Sequence, residues 1–214
     1  MFFTVKAESD REAKIKAERF IDNLCTAVLL STNIAVDVDN IDIVEIHEIH
    51  KSDSERTKTR VIHEIVKIKD DVSVGLGLSE THIRSIVKIA KEIEGLNKLI
   101  SRFFRWYRWA LLEDDPIDKF IKLWIAFEIW AEHKGYKSGK EGEKTKMTNA
   151  LVKECGLSEK EVGEVYDIRC ALFHSGTYDK ILSKLSQLEK CLATIVSEVK
   201  QTLSKKLRNE YGQI

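Results

Sequence analysis

One proline in 214 residues leaves no proline-rich linker, and the chain shows no internal repeat, which excludes a solenoid or a propeller. The formal net charge is zero, so no global electrostatic argument for a nucleic-acid partner is available. No apolar run reaches the length of a membrane span, and the first residues lack the basic stretch and apolar segment that mark a secretory signal. A cytoplasmic protein with no membrane partner is the expectation. The four cysteines, Cys25, Cys155, Cys170 and Cys191, show no paired metal-ligand spacing, which argues against a structural zinc site. Three of them lie in apolar helical patterns, and reduced core thiols are expected. No metal and no cofactor is implied.

What is present is patterned. Through Leu78 the chain carries 11 basic and 15 acidic residues, and beyond it 24 basic and 20 acidic, so a mildly acidic first part precedes a mildly basic second. Residues 2–7 have strand-like composition. Ser9-Asp10-Arg11-Glu12 is a capping box, after which Ala13, Ala17, Phe20, Ile21, Leu24, Ala27 and Val28 form a helical stripe ending near Asn33. Two β-branched runs follow, over 41–49 and 60–69, joined by a polar loop. These features predict a β-α-β-β module over residues 1–78, a type of unit used more often to dock a protein partner than to catalyse. A hairpin centred near Glu55 would set His47 across from His63, with Glu45, Glu48 and Glu64 nearby. Without ligand spacing, a solvated strand face is preferred there to a metal site.

From residue 79 to 214 helical periodicity dominates. The expected fold class is therefore α+β, a small N-terminal β-α-β-β module followed by an all-α up-and-down helical bundle. The stretch around Gly75 and Gly77 is the only candidate linker. A long helix from Ser79 is expected to bury Ile86, Ala90, Ile93, Ile100, Phe103, Phe104, Tyr107 and Leu111. Opposite them run Arg84, Lys88, Lys91, Lys98, Arg102 and Arg105. That face reads as solvated or, with the aromatics nearby, as a phosphate-tracking stripe whose RNA-binding candidates are Lys98, Arg102 and Arg105. Asp115 and Pro116 open the next helix, over 116–133, as its cap and first residue. Residues 135–146 read as a glycine- and lysine-rich loop. Then come a short helix over 148–155, a helix opened by a capping box at Ser158 and closed near Gly176, and a last helix over 178–208.

Two charges on apolar faces stand out. Arg169 falls in the middle of the arc made by Val162, Val165, Tyr166, Leu172 and Phe173, and an arginine aimed at a core needs a carboxylate or a water-filled cleft. Glu128 sits in the buried face of 116–133, four residues on from Trp124, either reaching water or pairing with Arg169 across two packed helices. His174 lies in the last turn of its helix, where its cation meets the negative end of the dipole.

Together, Lys119-Phe-Ile-Lys-Leu-Trp-Ile-Ala-Phe-Glu128, the variable glycine-rich loop and Arg169-Cys-Ala-Leu-Phe-His174-Ser-Gly176 resemble the HEPN superfamily, particularly its Apea-like branch. The resemblance covers roughly residues 79–214. It implies a helical bundle that forms a homodimer and, as in many members, a metal-independent endoribonuclease, with a role in defence or stress. It implies that Arg169 holds the scissile phosphate while His174 acts as general base or acid on the ribose 2′-hydroxyl and the leaving oxygen, giving a 2′,3′-cyclic phosphate. Glu128, Asp167, Ser175 and Tyr178 would support them. Cys170 stands where active members often carry Asn, Asp or His, so the alternative is an inactive HEPN-like dimer serving as an RNA-binding or protein-interaction module. Five residues along an ideal helix set Arg169 and His174 about 140° apart, so their convergence needs the helix end, the arginine's length or a second subunit.

Overall fold

Ser9 accepts the Glu12 backbone N–H at 3.2 Å and so caps the first helix, α1 (Asp10–Thr32). That helix stops where Asn33 turns left-handed, with φ 59°, and returns its N–H to the Leu29 carbonyl. The computed structural model describes residues 7, 9–38, 45–49, 57–61, 80–138, 142–175 and 181–211. After α1 it contains a pair of five-residue strands, β1 (Glu45–Ile49) and β2 (Thr57–Val61), and six more helices. These are α2 (Glu80–Glu94), α3 (Lys98–Leu111), α4 (Pro116–His133), α5 (Gly142–Cys155), α6 (Glu159–Ser175) and α7 (Ile181–Tyr211).

The expected long helix from Ser79 is two helices. Gly95 donates back to the Glu92 carbonyl at 3.2 Å, which tightens the last turn of α2, and the Asn97 side chain accepts from Leu99 N–H at 3.0 Å to start α3. Asn competes with the backbone for hydrogen bonds and so favours a cap over a helix interior. Helix α4 has the expected bounds, because Asp115 Oδ1 accepts from both Ile117 and Asp118 N–H groups and Pro116 takes the position that needs no donor. Helix α5 starts earlier than expected, at Gly142. Residues 142–146 are therefore helical rather than loop, anchored by burial of Met147, Ala150 and Leu151 one turn on.

Helices α3 and α4 form the most extensively packed pair. Between and around them Phe103, Phe104, Phe120, Leu123, Trp124 and Phe127 are almost wholly buried, each such side chain contributing about 1.5–3 kcal/mol. Leu188, Leu192 and Ile195 of α7 close the same core. Phe20 and Leu111, expected to face inward, are 41% and 36% exposed.

The α+β expectation is overturned. Every buried apolar side chain among the described residues lies on a helix, and the architecture is an all-helical bundle. Helix α1 does not pack in a separate β-α-β-β module. It rests on α2 and α3, sends Ala27, Leu29 and Leu30 into the common core, and ties to α2 through Arg19, which donates to the Glu94 carbonyl at 3.1 Å. Its stripe is long enough to serve a large core, and local patterning does not reveal which core it serves. Of the expected strand at 2–7, residues 2–6 lie outside the described residues. The β1–β2 ribbon pairs His47 with Thr59, not with His63, because its register centres two residues earlier than Glu55. Residues 62–69 and the His63 side chain lie outside the described residues.

Cys155 and Cys191 are joined by a disulfide with Cα atoms 4.9 Å apart, which corrects the expectation of four reduced thiols. It links the end of α5 to α7. Cys25 and Cys170 are free. No helix among the described residues is long and apolar enough to cross a membrane.

Candidate functional site

The Ser158 capping box forms as read: its hydroxyl accepts from Glu161 N–H at 3.3 Å, and Glu161 Oε2 accepts from Ser158 N–H at 2.8 Å. Helix α6 therefore has a fixed start, and Val162 and Val165 bury completely. Beyond Val165 the buried arc fades. Leu172 packs against the core only in part, and Phe173, expected inside, is 52% exposed.

Arg169 is half-buried at this transition. Its Nε is buried with no hydrogen-bond partner, and its guanidinium lies 4.9 Å from the centroid of the Phe173 ring. Stacking on a residue four positions ahead directs the cation toward the last turn of α6. His174 is exposed in that turn. Asp167 is exposed on α6, and Ser175 closes the helix; the Ser175 side chain and Tyr178 lie outside the described residues.

Glu128 does not pair with Arg169 among the described residues. It accepts from Trp124 Nε1 at 2.6 Å within its own helix, and the Trp124 indole meets the Tyr166 ring edge-on at 6.0 Å. Glu128 thus reaches α6 through two aromatic rings. Among the described residues, Glu143 in the first turn of α5 is a carboxylate that feels the Arg169 charge. The Ser138 hydroxyl, with Lys146 and the Arg169 charge, holds the Glu143 carboxyl below its usual range. Next to it Lys144 places its ammonium 5.6 Å from the Tyr166 ring centroid. The start of α5 was read as solvated loop, and no signal in its composition marked it as a neighbour of Arg169.

The basic stripe on α3 divides. Lys98 and Arg102 are exposed, while Arg105 is half-buried, in an ion pair with Asp22 of α1 and 6.0 Å from the Trp109 ring. Burial, then the neighbouring Arg108 cation, lowers the Arg105 pKa. Arg105 is thereby committed to holding α1, which leaves Lys98 and Arg102 as the exposed members of the three candidates.

Arg108 was overlooked. It is fully buried, donates to Asp22 Oδ1 at 2.8 Å and to the Val36 carbonyl at 3.0 Å, and lies 3.8 Å from Asp37 Oδ1. Burial raises the adjacent Cys25 thiol pKa against the pull of this cation. Arg108 follows Ile100 and Phe104 at successive spacings of four, the same test that singled out Arg169.

An open cleft of about 750 Å³ lies where α1, α3 and α7 meet, with Tyr107, Ser197, Lys200 and Gln201 among its walls. Neither Arg169 nor His174 lines it. No group of three or more His, Cys, Asp or Glu among the described residues is placed to hold a metal ion. Comparisons with protein-family models, curated proteins and solved structures give no match to this chain, so the site stands on its own geometry.

Proposed function

We propose that this chain is a HEPN-like helical protein that acts on RNA as a homodimer, using Arg169 and His174 as a metal-independent endoribonuclease. The observation that supports this most is the state of Arg169. It is a half-buried cation that forms no ion pair with a carboxylate among the described residues, and it lies over the Phe173 ring, in the turn that exposes His174. Desolvating a guanidinium is costly, Glu143 offsets that cost only weakly, the Arg169 charge being the least of the influences on its carboxyl, and an anionic ligand such as a phosphodiester offsets the rest. In the reaction His174 removes the 2′-hydroxyl proton and the freed oxygen attacks phosphorus. The 5′-oxygen leaves and is protonated by water, His174 gives its proton back to solvent, and Arg169 stabilises the added negative charge of the transition state.

Single-stranded RNA incubated with the full chain in EDTA tests this. The expected products end in 2′,3′-cyclic phosphate, DNA of the same sequence is inert, and Arg169→Ala and His174→Ala each lose at least about 100-fold in rate, in line with loss of a general acid or base, while keeping the wild-type melting temperature. Wild type that cleaves no RNA removes the nuclease reading.

A second reading, a non-catalytic RNA-binding or protein-interaction dimer, is favoured by the exposed Phe173 and by Leu182 at 70% exposure near the start of α7. Retained RNA binding without cleavage selects it. Sedimentation as a monomer at micromolar concentration contradicts both dimeric forms.

A further inference from the structure

Resting on the RNA reading above, we propose that Lys144 of α5 and the Tyr166 and Phe173 positions of α6 extend the site into a track for several nucleotides of single-stranded RNA. Positions 166, 169 and 173 follow at spacings of three and four, so aromatic, cation and aromatic share one stripe of α6. Tyr166 is braced from behind by Trp124 and carries the Lys144 ammonium over its ring. Arg169 lies over Phe173 at the other end. Neither Lys144 nor Arg169 forms an ion pair among the described residues. Glu143, the acidic residue of the α5 first turn, already accepts from Ser138 and Lys146.

Seven residues of helix separate the two rings, a rise of about 10 Å, which is too long for one phosphate group and suited to successive nucleotides. Cations interleaved with aromatic rings are how sequence-tolerant sites hold single strands, the charge taking phosphate and the ring face a base or sugar. Lys144 then contacts a phosphate beyond the scissile one, and an isolated mononucleotide engages only half of the track. Lys144 is exposed on its helix, so replacing it leaves the core intact.

The probe is a fluorescein-labelled oligouridylate of about a dozen nucleotides, the order of a single-strand site, bound to the His174→Ala full chain and followed by anisotropy across a salt series. Adding Lys144→Ala is expected to weaken binding about 3- to 10-fold and to lower the log–log salt slope by about 0.7, the value for one phosphate contact on a single strand. Lys144→Arg is expected to restore both. Unchanged affinity and slope in Lys144→Ala, with binding lost in Arg169→Ala, overturns the track and leaves the RNA reading standing. No binding of oligouridylate by the His174→Ala chain itself overturns the RNA reading, and the track with it.

Discussion

Replacing Arg108 by Met keeps an unbranched apolar stem of similar reach and deletes the charge, which isolates the ionic contribution at the α1–α3 junction. The wild-type guanidinium is fully buried and makes two direct hydrogen bonds, to Asp22 and to the Val36 carbonyl. Loss of a hydrogen bond to a charged group costs about 1.5–3 kcal/mol, and an orphaned buried carbonyl about 1–3. Asp22 keeps Arg105 as a partner, so the total falls short of the full cost of breaking a buried pair, about 3–5 kcal/mol. The expected loss is about 3 kcal/mol, equivalent for a chain of this size to a fall in melting temperature of roughly 6–12 °C. Urea unfolding of wild type, Arg108→Met, Asp22→Asn and the double variant measures it. The double variant is expected to lose at least about 1 kcal/mol less than the sum of the single ones, since both act on one interaction. Arg84→Met breaks only an ion pair whose partners are 74% and 78% exposed, and serves as a control with an effect below about 0.5 kcal/mol. An Arg108→Met chain as stable as this control, or strictly additive effects, refutes the reasoning.

Reducing the Cys155–Cys191 bond, or replacing both residues by Ser, frees a loop of 36 residues and is expected to lower stability by roughly 3–4 kcal/mol on the chain-entropy account. Urea midpoints with and without dithiothreitol check this, and equal midpoints contradict it. Tyr136 donates to Glu154 at 2.8 Å, and burial, together with that bond, pushes its pKa up to about 12. Because the folded value lies above the unfolded value of about 10, its contribution to stability is complete below pH 10 and disappears as pH rises toward 12. Absorbance at the tyrosinate band is expected to show late-titrating tyrosines, Tyr136 and the buried Tyr107 that burial also raises, and Tyr136→Phe is expected to remove one of them; a wild-type titration in which every tyrosine ionises around a midpoint near pH 10 counts against it.

Helix starts were legible because their causes are local. Ser9, Asp115 and Ser158 each bond to a backbone N–H within three residues, so the deciding partner lies inside the motif. Arg169 was legible as a charge on an apolar arc, but that arc is fully buried only through Val165, Phe173 is exposed, and the arginine sits half in and half out. The partner proposed for it was not, since Glu128 prefers an indole four residues away to a guanidinium on another helix. What could not be read from local pattern depends on contacts far apart in the chain. Asp22, Val36, Arg105 and Arg108 meet across more than 70 residues, and nothing in the α1 stripe reveals that α2 and α3, rather than a sheet, cover it.

The position of α1 limits how this protein can be divided or recombined. A boundary at residue 79, where the glycines invite a cut, would give a downstream fragment lacking the helix on which α2 and α3 rest, with Arg105 and Arg108 deprived of Asp22. The helical region is therefore not a portable cassette. Any chimera that exchanges the segment between residues 38 and 80 has to retain α1 upstream of the exchange, and a nick inside that segment leaves two pieces held together by a shared interior.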